Sequence, residues 1–493
     1  MTIPFQHIPS NLRLPLFYAE VSNTQANTGG QPQRALIIGQ VTAGGVAPAN
    51  IPLRCQGAAD ADTQGGPGSI LALMTKAYLA NDSFGEVWYL PLADAGGAVA
   101  ATGSINFTAA PTAAGTVALY VAGQAVPVPV SAAETTTAIA TAVAAAINAL
   151  TSLPVTATSA LGVVTLLAKN AGLCGNDIDI RMNYQGAQNG ELTPAGLTYT
   201  ITAMATGATN PTLTTALANL NSLSFDFIAS PYTDATSMAA VSAFLNDTTG
   251  RWSYASQVYG GAFMASRGTA GTLQTLGGTM NDQHSSIMGF YDSPTPNWVW
   301  AGALTGAAAG SLKVDPAVPL QTVPVYGVLA PPQASQFSNS IRNSLLYEGI
   351  STFTVDQAGV VHIENLITTY QKNGQGVADN SYLEVETMYT LMYVLRFLQG
   401  VVTSKYARVK LAANGTRFAP GSAIVTPNII KADIIAAYQQ LEFDGFVQNA
   451  TAFAAGLIVQ QNATNPNRVD VLWPGTLIDQ LRIFAVLAQF RLI

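Results

Sequence analysis

The run from 382 to 398 places apolar side chains on nearly every face of a predicted helix. The preceding Ser381-x-x-Glu384 has the form of a capping box, and Gly400 is a typical C-terminal stop signal. The spacing therefore predicts a helix that starts with this box and ends before Gly400. A helix that is apolar all round is buried on several sides, so the chain must fold into layers that enclose it.

Strand and helix patterns alternate on both sides of a region of different composition. Before residue 96, the runs 34–40 and 86–92 are typical of buried strands, and 70–79 has the pattern of a helix. From 213 to 290 helix and strand patterns alternate again, beginning with a helical run at 213–223 and ending with a strand run at 285–290, and a capped helix follows Thr426-Pro427 later in the chain. This alternation predicts a mainly parallel sheet covered by helices, an α/β main domain. Trp298 and Trp300 lie beyond these strands and are interpreted as core or interface anchors.

The stretch 96–205 is rich in Ala and Gly and reads as strands with one helix. Its runs 116–121 and 124–130 alternate and are joined by Ala122-Gly123, a hairpin signal, and 135–149 is an Ala-rich helical run. Further strand patterns cover 155–159, 163–168 and 177–184. Because the flanking sequence is α/β on both sides, we interpret 96–205 as a strand-rich domain inserted into one parent domain.

Both ends of the chain carry strand patterns. Residues 1–30 read as an extended arm and tether, in which Leu12, Leu14, Leu16 and Tyr18 alternate and Pro15 confines the strand to a sheet edge. At the other end, 457–461 and 469–473 predict a hairpin, and 481–493 is strand-like to the last residue. A strand at each terminus is what strand exchange between subunits requires, although an arm folded back on its own domain is the alternative.

Charged residues make up only 10% of the chain against roughly 25% in ordinary globular proteins, and mean hydropathy is +0.28. Such a composition is typical of a membrane protein or of a subunit that hides its surface in an assembly. No run of about twenty apolar residues occurs, and the first 21 residues are interrupted by charge and proline, so we expect neither a spanning helix nor a signal peptide. The remaining interpretation is a subunit that hides much of its surface in an assembly.

Charge is distributed unevenly along the chain. From Arg396 to the end nine basic residues face five acidic ones, a balance of +4, whereas the whole chain carries −7 and the remainder therefore −11. The cluster Lys405, Arg408 and Lys410 follows the long helix, and this basic region suggests an acidic partner. DNA is one candidate partner, but a chain with a pI near 4.9 and no recognition motif argues against it.

No motif for catalysis, cofactors or metals stands out. The Gly-rich turns lack the lysine of a phosphate-binding loop, no Gly-x-Ser-x-Gly occurs, and His7, His284 and His362 are isolated in sequence. Asp177 and Asp179 share one face of a predicted strand, where a cation could bind, but a solvated strand edge is the favoured interpretation. We therefore expect that the protein is not an enzyme and that it binds no cofactor and no metal. A catalytic triad assembled from residues that are distant in the sequence is left open.

Several segments closely resemble tail sheath proteins of Mu-like contractile phages. They are ITTYQKN at 367–373, SYLEVETMYTLMYVLR at 381–396, VTSKYARVKLA at 402–412 and RFAPG at 417–421. The resemblance implies a subtilisin-like α/β main domain, without implying catalysis. It also implies a structural subunit, many copies of which stack as rings around an inner tail tube and contract to drive the tube into the host envelope.

As partners, the resemblance implies further copies of the chain, the inner tube protein, and the baseplate and tail terminator at the ends, with no nucleic acid and no membrane insertion. The location would be the virion tail, and the host cytoplasm during assembly. The competing function is a non-contractile virion or surface-layer protein, and less favoured are a nucleic-acid-binding protein and a hydrolase.

The expected division of the chain combines these patterns. It consists of an arm at 1–30, the main domain at 31–95 and 206–360, the inserted domain at 96–205, and an α+β C-terminal domain at 361–493 that ends in a strand.

Overall fold

A computed structural model describes residues 33–492. Within that range the strands are, in chain order, β1 (Arg34–Gln40), β2 (Leu53–Arg54), β3 (Glu86–Leu92), β4 (Ala100–Ala109), β5 (Gly115–Val121), β6 (Gln124–Val130), β7 (Val155–Ala160), β8 (Val163–Ala171), β9 (Ile180–Met182), β10 (Thr198–Ala205), β11 (Phe227–Ala229), β12 (Gly261–Arg267), β13 (Ser285–Phe290), β14 (Thr352–Val355), β15 (Val361–Asn365), β16 (Lys410–Leu411), β17 (Ile424–Val425), β18 (Val447–Gln448), β19 (Ile458–Gln461), β20 (Val469–Leu472) and β21 (Thr476–Leu477).

The α-helices of the same range are α1 (Ala58–Gly65), α2 (Ile70–Leu79), α3 (Thr136–Ala149), α4 (Thr214–Ala218), α5 (Ala235–Leu245), α6 (Ala270–Gly278), α7 (Asn297–Leu312), α8 (Asn339–Tyr347), α9 (Val385–Tyr406), α10 (Pro427–Phe443) and α11 (Ala450–Gly456). A short 3-10 helix at Leu173–Asp177 matters for the argument below.

The main sheet has six strands in the order β13-β12-β11-β1-β3-β2. The five strands from β13 to β3 are parallel, and β2 lies antiparallel on the edge beside β3. β1 is central and pairs with β3 along its whole length, from Arg34 opposite Glu86 to Gln40 opposite Leu92. The predicted mainly parallel α/β sheet is confirmed, because buried apolar runs of this length need neighbours on both sides.

Helices cover both faces of this sheet. On one face Ile287 of β13 packs with α5, α6 and α8 through a cluster that includes Leu273 and Leu345. On the other face Phe290 of β13 stacks on Trp300 of α7, with ring centroids 4.8 Å apart. Successive strand residues point to opposite faces, so these two contacts mark the two layers. Trp298 and Trp300 are fully buried, which confirms their interpretation as core residues.

Residues 96–205 form their own sheets. β10-β4-β8-β7 make a four-stranded antiparallel sheet on which α3 packs, and β6-β5-β9 make a three-stranded sheet that contains the predicted hairpin. The strand β4, the longest of this region, was not predicted from the sequence. The strand expected at 177–184 is reduced to β9, because Asp177 ends the 3-10 helix and turns its carboxylate to Arg267. We call residues 96–205 the insert.

The long helix differs from its sequence prediction at both ends. α9 starts at Val385, because the Ser381 hydroxyl donates a hydrogen bond to Asp379 and the Glu384 carboxylate pairs with Arg482 instead of capping. The helix also continues through Gly400 to Tyr406. Its last turns pack on the C-terminal core through Phe397, Leu398 and Tyr406, and this packing outweighs the cost of one glycine, about 1 kcal/mol.

The C-terminal part is built on α10, which is capped by Thr426 and starts with Pro427 as expected. β19 and β20 form the predicted antiparallel hairpin. Residues 478–492 contain neither helix nor strand, contrary to the predicted terminal strand, because a strand needs a pairing partner and the described chain provides none there. The expected boundary at 361 does not coincide with a change of packing, since β15 pairs with β14 and Tyr389 still lies in the main core.

The helix expected at 213–223 is also shorter than its pattern. Only Thr214–Ala218 is helical, and the following residues turn toward β11.

Candidate functional site

The crevice at the carboxyl ends of the parallel strands is occupied by the insert. In doubly wound sheets this crevice, where the strand order reverses beside β1, is the usual ligand site. Here Gln40, at the end of β1, donates to the carbonyl of Ala171 at 2.6 Å, and Asp94 accepts from the amide of Ala171 at 2.9 Å. Backbone and side chains of the insert therefore fill the place where an α/β enzyme would hold its substrate.

Asp177 fastens the insert at the same edge. Its carboxylate accepts hydrogen bonds from Arg267 at the end of β12 and from the amide of Asn297 at the start of α7, both at 2.5 Å. Asp179 pairs with Arg181, also at 2.5 Å. The interpretation of the two acids as a solvated strand edge is therefore wrong, and so is a shared cation site, because each carboxylate is partly buried against its own arginine.

One Ser-His-Asp group lies together in the main domain, but it is not connected as a catalytic triad. Asp282 accepts from Ser285 Oγ at 2.7 Å and lies 3.2 Å from His284 Nδ1. The remaining imidazole nitrogen, Nε2, lies 3.1 Å from Asp247 instead of facing a serine. All three members of the group are buried, so the serine has no base and no access to substrate.

The other described histidine, His362, is also a structural group. Its Nδ1 lies 2.9 Å from the carbonyl of Thr322 and its Nε2 lies 3.1 Å from Asp356. Among residues 33–492 no group of three or more His, Cys, Asp or Glu side chains is placed to hold a metal ion. No helix in the described range has the length and apolarity needed to cross a bilayer.

The helix α9 joins the main domain to the C-terminal part. In its first half the Tyr389 ring stacks on Phe227, 5.1 Å away, and its hydroxyl donates to the carbonyl of Asp226 at 2.7 Å. Arg396 forms an ion pair with the fully buried carboxylate of Asp226. The second half of α9 packs in the separate C-terminal core, so one continuous helix carries both contacts.

The predicted basic cluster after α9 divides into two kinds of residue. Lys405 is paired with Asp433 at 3.0 Å, and Asp433 also accepts from the Tyr406 hydroxyl. Arg408 and Lys410 are exposed, and within the described range neither lies within 4 Å of a carboxylate. These two side chains are therefore available to a partner, whereas Lys405 already has one.

A second charged group lies where the C-terminal segment leaves the protein. Arg482 Nη2 lies 2.6 Å from Glu386 and 2.9 Å from Glu384 at the start of α9. Burial raises the pKa of Glu384 to about 7, and the charge of Glu386 adds to this while Arg482 opposes it. The pattern Ser381-x-x-Glu384 predicts a cap at Glu384, and no sequence motif predicts a role for Arg482. Two acids at the start of an apolar helix and one arginine in an apolar tail are the signals that the sequence offers.

The segment beyond Arg482 exposes an unusual amount of apolar surface. Six large apolar side chains beyond Arg482 are mostly solvent-exposed, namely Ile483, Phe484, Val486, Leu487, Phe490 and Leu492. Contiguous exposed apolar surface of this kind marks an interaction site. The four residues predicted for the N-terminal arm, Leu12, Leu14, Leu16 and Tyr18, lie outside the described residues.

Comparison with known proteins decides the family. The description "Phage tail sheath protein central domain" matches residues 206–369, and "Phage tail sheath C-terminal domain" matches residues 377–491. The Mu-like prophage FluMu tail sheath protein of Haemophilus influenzae is 39% identical over 494 residues, which covers 100% of each chain. This chain belongs to the phage tail sheath family. The resemblance seen in the sequence is thereby confirmed.

Two solved structures are also similar to this chain. The sheath tail protein Lin1278 from Listeria innocua is 12% identical, with a TM-score of 0.49 and coverage of 93% of this chain and 96% of that chain. A chain of the anti-feeding prophage baseplate is 11% identical, with a TM-score of 0.46 and full coverage of both chains.

Membership of the tail sheath family makes this a structural virion protein of the phage tail, in a family that is not one of enzymes. The chain has a mixed α/β fold with several separate sheets. Sheath proteins assemble as oligomers in phage tails. The functional surfaces of this chain are therefore contacts between proteins, and the exposed C-terminal segment and the two free basic side chains are the candidates described above.

Proposed function

We propose that the chain polymerises as stacked rings around an inner tail tube and contracts to drive that tube into the host envelope. The observation that carries this proposal is the 39% identity, end to end, with a Mu-like prophage tail sheath protein. Contraction between two packings of rigid subunits releases free energy that is stored on assembly, so no nucleotide is required. The partners would be other copies, the inner tube, and the baseplate and tail terminator at the ends, after assembly in the host cytoplasm.

Contacts between copies are proposed to use both chain ends as exchanged strands. The exposed apolar segment 483–492 supports this, because identical subunits with complementary strands and sheet edges form rings or helices. In the C-terminal part, β19 and β20 form a two-stranded sheet whose outer edges pair with no other strand of residues 33–492, so a further strand could add there. The arm at 1–30, with Leu12, Leu14, Leu16 and Tyr18, is the proposed counterpart at the other end.

The domain division and the subtilisin-like description of the main domain stay proposals. A parallel sheet with helices on both faces supports the second, and superposition on a subtilisin-type enzyme would test it. For the first, packing favours an insert whose neck is the bridge between Val99 and Ala208, and a C-terminal domain that begins within α9.

Arg408 and Lys410 are proposed to face an acidic tube, with Lys405 held against Asp433 beside them. Each exposed ion pair contributes only about 0.2–1 kcal/mol, but the contact recurs in every subunit around the tube. A non-contractile surface layer is the competing function, and it would need no such tube contact.

Assembly of the purified chain, alone and with purified inner tubes, tests both points by electron microscopy. We expect hollow polymers of one diameter and their formation on tubes. Arg408→Glu/Lys410→Glu should leave the subunit folded and abolish assembly on tubes, because a repeated attraction becomes a repulsion. The matched control, Arg54→Glu/Lys372→Glu, makes the same change of charge at exposed main-domain sites and should assemble normally.

Flat lattices in place of hollow polymers would favour the surface-layer alternative. Normal co-assembly of the Arg408→Glu/Lys410→Glu variant at low and high salt would show that these side chains only solvate the surface, since screened charge contacts depend on salt.

A further inference from the structure

The solvent exposure of the C-terminal segment rises sharply after one residue, Arg482. The Arg482 side chain is 15% exposed, whereas its neighbour Ile483 is 84% exposed and Phe484 82%. Before this point the chain is tied to the protein, since Gln448 donates to Asp479 and Gln321 donates to the carbonyl of Leu481. Beyond it, residues 483–492 make no hydrogen bond to the rest of the described chain.

The Arg482 side chain forms ion pairs with two carboxylates at the start of α9. Glu386 is fully buried, accepts from the amide of Leu320 at 2.6 Å with one oxygen, and lies 2.6 Å from Arg482 with the other. Glu384 lies 2.9 Å from the same guanidinium nitrogen. Arg482 Nη2 also donates to the side-chain oxygen of Gln480, two residues before it, at 2.8 Å.

Burial of a carboxylate costs free energy unless a cation lies nearby. Within the described residues no other Lys or Arg lies within 4 Å of Glu384 or Glu386, so Arg482 is their counter-ion. All of these contacts meet at one atom, Nη2, so the pair holds the segment at a single charged point. The carboxylate pair therefore determines where the segment leaves the protein.

We propose that Glu384 and Glu386 form an anionic socket for Arg482, and that this socket positions residues 483–492 for docking on a second copy of the chain. The proposal rests on the strand exchange proposed above and names the residue that positions the exchanged segment. A second copy is the occupant because apolar residues lie on both sides of the segment, as in a strand inside a sheet, and because the edges of β19 and β20 pair with no third strand of residues 33–492. A segment whose first residue is held in place before docking loses less conformational entropy when it binds.

Removal of Arg482 alone would leave the buried carboxylate of Glu386 and the partly buried one of Glu384 without a counter-ion, so the decisive variant neutralises the socket as well. It is the triple variant Arg482→Ala/Glu384→Gln/Glu386→Gln, in which the amide at 386 still accepts from Leu320. The control is Glu384→Gln, which keeps the pair between Arg482 and Glu386, and the conservative rescue is Arg482→Lys. A truncation after Arg482 provides the reference without the segment.

Two measurements separate positioning from folding. Spin labels on Ile483→Cys, in a Cys55→Ser background, report motion beside the socket in the unassembled chain, and sedimentation gives the critical concentration for polymerisation. The triple variant should keep cooperative thermal unfolding, move the label to fast motion, and raise the critical concentration about tenfold. Glu384→Gln should behave as the wild type, and Arg482→Lys should recover most of the assembly.

The outcomes distinguish the two proposals. If the truncated chain polymerises normally, the proposed exchange of the C-terminal segment is wrong, and the socket has no role in assembly. If the truncation abolishes polymers while the triple variant assembles at the wild-type concentration, strand exchange stands and the positioning role of Arg482 is wrong.

Discussion

His284 is a buried imidazole that lies between two carboxylates, 3.1 Å from Asp247 and 3.2 Å from Asp282. Burial alone would lower the pKa of His284, but the hydrogen bonds and charges of Asp247 and Asp282 outweigh it, and the pKa is raised above its ordinary value. The pKa values of both aspartates are lowered in return. The imidazole also packs against Trp252, with ring centroids 4.9 Å apart, so it joins the loop after α5 to the start of β13. Its role is structural.

The sign of the pH dependence follows from that direction. A raised histidine pKa contributes stability that is fully present below the ordinary value, about 6.5, and is lost as the pH rises through the folded-state value. We expect the stability advantage of wild type over His284→Gln to shrink by on the order of 1 kcal/mol between pH 6 and pH 9. Urea unfolding followed by tryptophan fluorescence at several pH values measures it; a difference that stays constant over this range would mean that the imidazole is neutral in the folded protein.

At the scale of elements, the closest helix contact is between α2 and α7. A methyl group at Gly302 would lie 2.4 Å from the carbonyl oxygen of Met74, and one at Gly306 would lie 2.4 Å from that of Tyr78. Glycine at these positions lets the two helix backbones approach. α7 was not predicted, because it is buried on nearly every side and has no amphipathic period, but its glycines four residues apart were a visible signal.

A third glycine of α7, Gly310, provides a control for the close approach at Gly302. Gly302→Ala should lower the free energy of unfolding by about 1–3 kcal/mol, because the added methyl forces the helices apart. Gly310→Ala, on the same helix, places its methyl 3.5 Å from the carbonyl of Asn81 and should be neutral or stabilising by up to about 1 kcal/mol. Thermal unfolding of the two variants side by side decides it, and equal melting temperatures would contradict the close-packing account.

At the scale of the whole molecule, the insert has its own sheets but is also bound to the main domain by an ion pair and by apolar packing. Its sheets are its own, and its neck is narrow, with Val99 and Ala208 exchanging two backbone hydrogen bonds of 3.1 Å. Yet Asp177 neutralises Arg267 of the main sheet, and the buried apolar cluster is continuous between insert and main domain. Removal of the insert therefore has a defined electrostatic cost.

This cost can be measured. Replacement of residues 100–207 by a short Gly/Ser turn leaves Arg267, whose side chain is 21% exposed, without its carboxylate, and removal of one partner from such a part-buried ion pair costs up to about 3–5 kcal/mol. The same replacement combined with Arg267→Gln should unfold cooperatively at a higher temperature than the replacement alone, as measured by calorimetry. Absence of a cooperative transition in both proteins would show that the insert is part of the main core.

The sequence by itself determined the elements whose signals are local. The buried runs of β1, β3 and β13, the hairpin of β5 and β6, and the Thr426 cap of α10 appear as predicted, because periodicity, turns and caps act within a few residues. The resemblance in 367–421 likewise led to the right family, since the segments that carry it are contiguous.

Only the tertiary structure decided the rest. The passage of α9 through Gly400, the occupied crevice and the partners of Glu386 and Asp177 depend on packing between distant segments. Arg482 and Glu386 are 96 residues apart, and Arg267 and Asp177 are 90 residues apart. The energy of such a pair arises only when folding removes both groups from water together, so no local pattern in the sequence records it.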